Sequence, residues 1–169
     1  RLIFLHGFTQ THHHWHECAH LIGAGVDSPT LAFVDLPGHG LSATDHTPIH
    51  DSGDPLASLA GRGTYIGYSM GGRFALHLAL SRPDVVERLV LIGATPGLRT
   101  DGERAERQAA DEVRAQRVEE GGVEQFVGES LSAALFATLT PEQSGMLQRH
   151  GNTAAGLAAS LRRSGTGAQ

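Results

Sequence analysis

The sequence predicts an α/β fold, a parallel sheet with flanking helices followed by a helical insertion. Short apolar runs at Leu2–Leu5, Leu31–Val34, Tyr65–Ile66 and Leu89–Ile92 have strand length and do not alternate with polar residues. That is the pattern of strands buried on both faces. Segments of helical character lie between them, and this alternation implies crossovers between parallel strands. No strand is read after residue 92.

The first run ends at His6-Gly7-Phe8, read as a buried strand and a loop whose Phe8 N–H can face an oxyanion. His6 is expected to hold this loop. Next come His12, His13, His14, Trp15, His16 and His20. In a regular helix His12, His16 and His20 share a face, a spacing that can bind a transition metal. Glu17 and Cys18 lie near, but no carboxylate or thiol completes a site. These are read as solvated histidines with adventitious nickel or zinc affinity, and Trp15 as the anchor of the helix.

Leu31–Val34 is the second strand, and Asp35-Leu36-Pro37-Gly38-His39-Gly40-Leu41-Ser42 after it must be a tight loop, since neither helix nor strand tolerates Pro-Gly-His-Gly. Residues 43–63 are polar and interrupted by proline and glycine; Leu56–Ala60 is the part with helical character, short for a crossover between parallel strands.

Gly67-Tyr68-Ser69-Met70-Gly71 follows the third strand and precedes the helical stretch Phe74–Leu80. G-x-S-x-G between a strand and a helix is a nucleophile elbow. The turn is too tight for a Cβ at either glycine. It strains the serine and points it at a helix N-terminus, where negative charge is stabilised. The helix is expected to stop at Ser81, before Pro83. Leu89–Ile92 is read as another buried strand, ended by Gly93-Ala94-Thr95-Pro96-Gly97, which lacks the lysine and spacing of a phosphate loop. Ligands of such sheets sit beyond the strand carboxyl ends, where Phe8, Ser69 and the 93–97 loop all fall.

Glu103–Glu120 is charged, with a thin apolar stripe of Ala105, Ala109, Ala110 and Val113, and reads as an exposed helix stopped by Gly121-Gly122. A further helix begins at Val123. Thr140-Pro141-Glu142-Gln143 has the form of a capping box. Asn152 is the expected cap of a last helix carrying Leu157 and Leu161, with Gly165 as its stop. The organisation expected is therefore a core over 1–97, a helical cap over 98–165, and the start of a return to the core at 166–169.

The totals exclude several classes. At 169 residues the chain can build one domain with a real core. A net charge of −5 argues against a nucleic-acid surface. Cys18 is the single cysteine, so no intrachain disulfide forms, which suits a cytoplasmic location. No apolar run approaches membrane-spanning length. The chain opens on Arg1 within a strand and stops before any return to the sheet, so it reads as a fragment truncated at both ends.

His6-Gly7-Phe8, the Asp35–Ser42 loop and Gly67-Tyr68-Ser69-Met70-Gly71-Gly72, in this order, resemble the α/β-hydrolase superfamily. Gly93-Ala94-Thr95-Pro96-Gly97-Leu98, Glu103–Gln108 with Asp111, Phe126, Leu135-Phe136, and Arg149 and Asn152 with Leu157-Ala158-Ala159 are similar to a subfamily. That subfamily is the menaquinone-pathway synthases, which form 2-succinyl-6-hydroxy-2,4-cyclohexadiene-1-carboxylate by eliminating pyruvate. The resemblance implies Ser69 as the catalytic serine, acting as a base through a histidine. It implies the Phe8 and Met70 N–H groups as the oxyanion hole. Tyr68, Arg73, Arg107 and Arg149 would contact a small substrate bearing carboxylates, which guanidinium groups hold through paired hydrogen bonds. The alternative for each arginine is a surface ion pair. No cofactor and no functional metal is expected. Ser130-Leu131 stands where the family has an aromatic pair, and Ala134 where it has proline. The Asp and His of a Ser-Asp-His triad have no match: His77 should point away from Ser69, and His150 has no evident orienting carboxylate. The chain alone is expected to be nearly inactive. A serine hydrolase of small esters and a non-catalytic remnant are the alternative functions.

Overall fold

The computed structural model describes residues 1–23, 29–136 and 138–169. Its strands are β1 (Leu2–Leu5), β2 (Leu31–Val34), β3 (Gly63–Tyr68) and β4 (Val86–Ile92). They form one parallel sheet in the order β2-β1-β3-β4. Along β1 the side chains alternate. Ile3 and Leu5 join a core with Leu56, Ala57, Phe74, Ala75 and Leu78, from the helices α2 (Gly53–Ala60) and α3 (Met70–Ser81). Phe4 faces the other way, onto Trp15 and Ala19, the latter on α1 (His16–Gly23). Helices therefore cover both faces, which explains the unbroken apolar runs.

Several elements differ from the sequence reading. The crossover before β3 is the full eight-residue α2, preceded by 3-10 turns at Gly40–Ser42 and Ile49–Asp51; Pro55 is tolerated in the first helical turn. Residues 12–15 are a 3-10 turn, and the α-helix begins only at His16. The expected regular spacing of His12, His16 and His20 is therefore broken. β4 is not buried: Val90, Leu91 and Ile92 are 43%, 42% and 43% exposed. Its apolar run reads as a buried strand, but among the described residues β4 pairs with β3 on one side and has no strand on the other.

Beyond β4 come α4 (Asp101–Leu131), α5 (Pro141–Ser144), α6 (Met146–Arg149) and α7 (Ala154–Ser164). Thr100 caps α4 in a reciprocal capping box with Glu103, and Thr140 does the same with Gln143. Gly122, at φ 77°, breaks α4 into two helices, as Gly121-Gly122 predicts. The apolar stripe expected of α4 is on the wrong side. Ala105, Ala109, Ala110 and Val113 face solvent, and the buried residues are Asp111, Ala115, Val118, Phe126 and Val127. Ala115, Val118 and Phe126 pack on Leu157, Ala158 and Leu161 of α7.

Asn152 does not cap α7; Thr153 does, accepting from the Gly156 N–H at 3.0 Å. Asn152 instead joins distant segments. Its Nδ2 donates to the carbonyls of Thr9 at 2.8 Å and Arg149 at 2.9 Å, and its Oδ1 accepts from the Gly40 N–H at 3.0 Å. The helices after β4 are thereby fixed over the loops that follow β1 and β2. Among the described residues no helix is long and apolar enough to cross a membrane.

Asn152→Ala leaves buried polar groups unpartnered and is expected to cost about 2 kcal/mol, a fall in Tm of roughly 4–8 °C. Calorimetry of the variant checks this; an unchanged Tm would show that water replaces the bonds at no cost.

Candidate active site

Ser69 sits between β3 and α3 at φ 51° and ψ −111°, a conformation that costs a non-glycine residue on the order of 1–3 kcal/mol. Two close approaches enforce it. A Cβ on Gly67 would meet the Gly71 carbonyl oxygen and Gly72 Cα, each at 2.5 Å. A Cβ on Gly71 would overlap the Leu5 carbonyl and reach the His6 oxygen at 2.7 Å. The Ser69 N–H donates to the Ile92 carbonyl at 2.8 Å, tying the turn to β4.

The loop after β1 is strained in the same way: Thr9 has φ 65°. Its N–H donates to His39 Nε2 at 3.2 Å, its carbonyl accepts from Asn152, and its hydroxyl accepts from the Arg149 guanidinium. Thr9 therefore positions Phe8 beside it. Among the described residues no acceptor engages the Phe8 N–H. The Met70 N–H lies in the first turn of α3, where helix donors have no internal partner.

His6 and His39 build this frame as neutral donors and acceptors. His6 Nδ1 donates to the Gly7 carbonyl at 2.9 Å, and its Nε2 accepts from the Leu36 N–H at 3.1 Å. His39 Nδ1 donates to the Pro37 carbonyl at 3.0 Å. Burial pushes His6 down to about 4 and His39 down to about 3.

Two cavities meet at Ser69. One, of about 130 Å³, is lined by Phe8, Thr9, Gln10, Tyr68, Ser69, Arg114, Ser130, Leu131, Phe136 and Arg149. The other, of about 310 Å³, is lined by Phe8, Ser69, Met70, Arg73, Arg107, Arg114, Phe136 and residues of α7. They share Phe8, Ser69, Arg114 and Phe136, so they are two lobes of one hollow. Among the described residues no carboxylate and no histidine lines either lobe.

The structure brings together Ser69, Phe8, Met70, Tyr68, Arg73, Arg107 and Arg149, all singled out in the sequence. The arginines differ in their freedom. Arg73 is buried and donates to the Ser164 carbonyl at 2.6 Å. Burial, then repulsion from Arg107, pushes it down to about 10 against the pull of Asp111, still protonated at neutral pH. Arg149 is buried, donating to the Ser144 carbonyl at 2.8 Å and to Thr9. Arg107 donates its Nε to both oxygens of buried Asp111 at 3.0 Å, and among the described residues its terminal nitrogens have no hydrogen-bond partner and can serve a ligand.

Arg114 escapes the sequence reading. It lines both lobes, lies 3.5 Å from Asp111, and stands over the rings of Phe8 and Phe126 at 5.5 and 5.7 Å. The available signal is its spacing: Arg107, Asp111 and Arg114 fall at i, i+4 and i+7, one helix face. Ser130 and Leu131 form part of the smaller lobe's wall. His77 is turned away as expected, donating to the His50 carbonyl at 2.9 Å, and His150 is exposed.

A strand–serine–helix elbow on a parallel sheet, facing a second loop with a free N–H, is the architecture of the alpha/beta hydrolase family. A profile of that family matches residues 2–166, and the chain belongs to it. It is 34% identical over 171 residues to 2-succinyl-6-hydroxy-2,4-cyclohexadiene-1-carboxylate synthase of Escherichia coli O1:K1, covering 95% of this chain and 65% of the relative. The synthase of the same description from Escherichia fergusonii is 32% identical over the same shares. The chain thus spans about 65% of the length of the curated relatives it matches. The structure of MenH from S. aureus superposes with a TM-score of 0.88 at 30% identity, over 99% of this chain and 67% of that one. A hydrolase from Pseudomonas aeruginosa PA01 shares the fold, with a TM-score of 0.71 at 24% identity over 96% of this chain and 63% of that one.

The buried imidazoles make stability acid-sensitive. Their folded values lie below the ordinary 6.5, so the unfolded chain takes up protons first as pH falls. Stability is complete above pH 6.5 and declines towards pH 4, at about 1 kcal/mol per imidazole for the first unit below 6.5. Calorimetry should show Tm roughly 5–10 °C lower at pH 5.5 than at pH 7.5; a flat profile would mean that His6 and His39 are not held neutral.

Proposed function

We propose that this site carries out the elimination of pyruvate that yields 2-succinyl-6-hydroxy-2,4-cyclohexadiene-1-carboxylate, the product in the relatives' name, and that residues 98–165 act as the cap enclosing the substrate. The observation that carries the reading is the lining of the hollow. Arg73, Arg107, Arg114 and Arg149 line the hollow at Ser69, and among the described residues no carboxylate lines it, in a chain whose net charge is −5. A small neutral ester needs no such lining, whereas a substrate with several carboxylates does.

In this reading Arg107 and Arg114, both anchored on Asp111, grip substrate carboxylates with their free donors. Arg73 and Arg149, which spend donors on backbone and hydroxyl groups, add positive charge and keep the walls in place. The Phe8 and Met70 N–H groups stabilise the negative charge that develops as a proton is removed. Ser69 takes that proton, with a histidine relaying it. A hydroxyl without a base is a poor proton acceptor, and no histidine lines the hollow among the described residues. Residues 1–169 by themselves are therefore proposed to turn over close to background.

The test is pyruvate release, followed with the synthase's substrate on a chain of the relatives' full length. Ser69→Ala should lower kcat on the order of 10³-fold or more. Arg107→Gln and Arg114→Gln should each raise KM about 10–100-fold, the worth of a charge-assisted hydrogen bond. Hydrolysis of small esters through an accumulating acyl-enzyme, without pyruvate release, would replace this reading with that of a serine hydrolase. Family-like turnover by residues 1–169, abolished by Ser69→Ala, would overturn the need for a base from elsewhere.

A further inference from the structure

We propose that His12, His13 and His16 bind a divalent transition-metal cation of the zinc class, at a site separate from Ser69. The sequence suggests His12, His16 and His20 as a helical face, but the fold selects a different trio. Because residues 12–15 form a 3-10 turn and the α-helix starts at His16, the i, i+1 and i+4 imidazoles gather on one side. One ring nitrogen of each lies within 4.8 Å of the other two. The ring centroids are 3.9 Å apart for His12 and His13, 5.1 Å for His13 and His16, and 5.7 Å for His12 and His16. Nitrogens at about 2.0–2.1 Å from a tetrahedral zinc stand roughly 3.4 Å from one another. A closure of at most about 1.4 Å is thus required, within reach of side-chain rotation because His13 and His16 are exposed.

The arrangement behind His12 separates this trio from a chance cluster. Its backbone N–H donates to Asp35 Oδ1 and its ring Nδ1 to Asp35 Oδ2, both at 2.7 Å. Asp35 is itself buried and also accepts from the Leu41 N–H at 2.9 Å. A carboxylate on one ring nitrogen fixes the tautomer, aims the ring and makes the other nitrogen a better donor, the usual outer-sphere arrangement of metal-binding histidine. His16 is steadied by an edge-on contact with Phe33, with ring centroids 4.9 Å apart. Three imidazoles suit zinc, nickel or copper rather than magnesium or calcium, with a fourth position left to water. Through Asp35 the cation would brace the segment after Phe8 and Thr9 against the Pro37–Gly40 loop.

The test is titration of the untagged, chelator-treated protein with zinc chloride, followed by calorimetry and equilibrium dialysis. A single saturable site is expected, with a rise in Tm reversed by EDTA. The variant H13A/H16A alters two exposed side chains and should keep the native circular-dichroism spectrum while losing the site. H20A, on the expected but unformed face, should keep it. Asp35→Asn should weaken binding about 10–100-fold; if that variant fails to fold, H13A/H16A still decides. Saturable binding that survives in H13A/H16A, or no saturable binding to the unaltered protein, would overturn the proposal.

Discussion

The contact between Gly71 and the carbonyls of Leu5 and His6 is the constraint on which the rest of the molecule depends. It lets the start of α3 press against the end of β1 at a distance no side chain permits. Ser69 is thereby forced to positive φ, and the first turn of α3 is brought beside the loop that carries Phe8. Local strain is balanced by the hydrogen bond from Ser69 to Ile92 and by the core under α3, where Phe74, Ala75 and Leu78 are fully buried. An energetically unfavourable serine is kept because a large apolar interface on each side outweighs it.

The second strained residue, Thr9, is held by long-range bonds instead. His39, Arg149 and Asn152 reach it from the loop after β2 and from the helices beyond β4. The geometry of the Phe8 N–H thus depends on segments more than a hundred residues apart in sequence, and residues from beyond β4 are components of the site. The buried imidazoles serve as fixed hydrogen-bond pieces whose neutrality is enforced by burial. They belong to the frame, and neither lines the hollow at Ser69.

The third feature is the inward face of α4. Asp111 is almost wholly buried, between Arg107 and Arg114. Such a buried ionic group adds little net stability, since desolvation offsets much of the attraction. Its effect is to present two guanidinium groups at fixed positions beside Phe8 and Ser69 while the chain as a whole remains acidic. Besides the apolar residues Ala115, Val118 and Phe126 that pack on α7, this helix turns Arg107 and Arg114 towards the hollow and leaves Val113 64% exposed.

The sequence by itself determined the parallel α/β order, the elbow around Ser69, the turn at Pro37–Gly40, the cap at Thr140 and the break at Gly122. Each of these is a local steric or hydrogen-bonding requirement written into a few adjacent residues. It also singled out Arg73, Arg107 and Arg149, through resemblance to a family pattern. Only the tertiary structure decided which side of α4 is buried, because an inward-facing arginine has the sequence signature of an exposed one. It alone placed Arg114 in both lobes of the hollow, moved Asn152 from cap to bridge and regrouped the histidines. Those outcomes depend on what each segment packs against, and hydrophobic periodicity carries no record of a partner that is charged or distant in sequence.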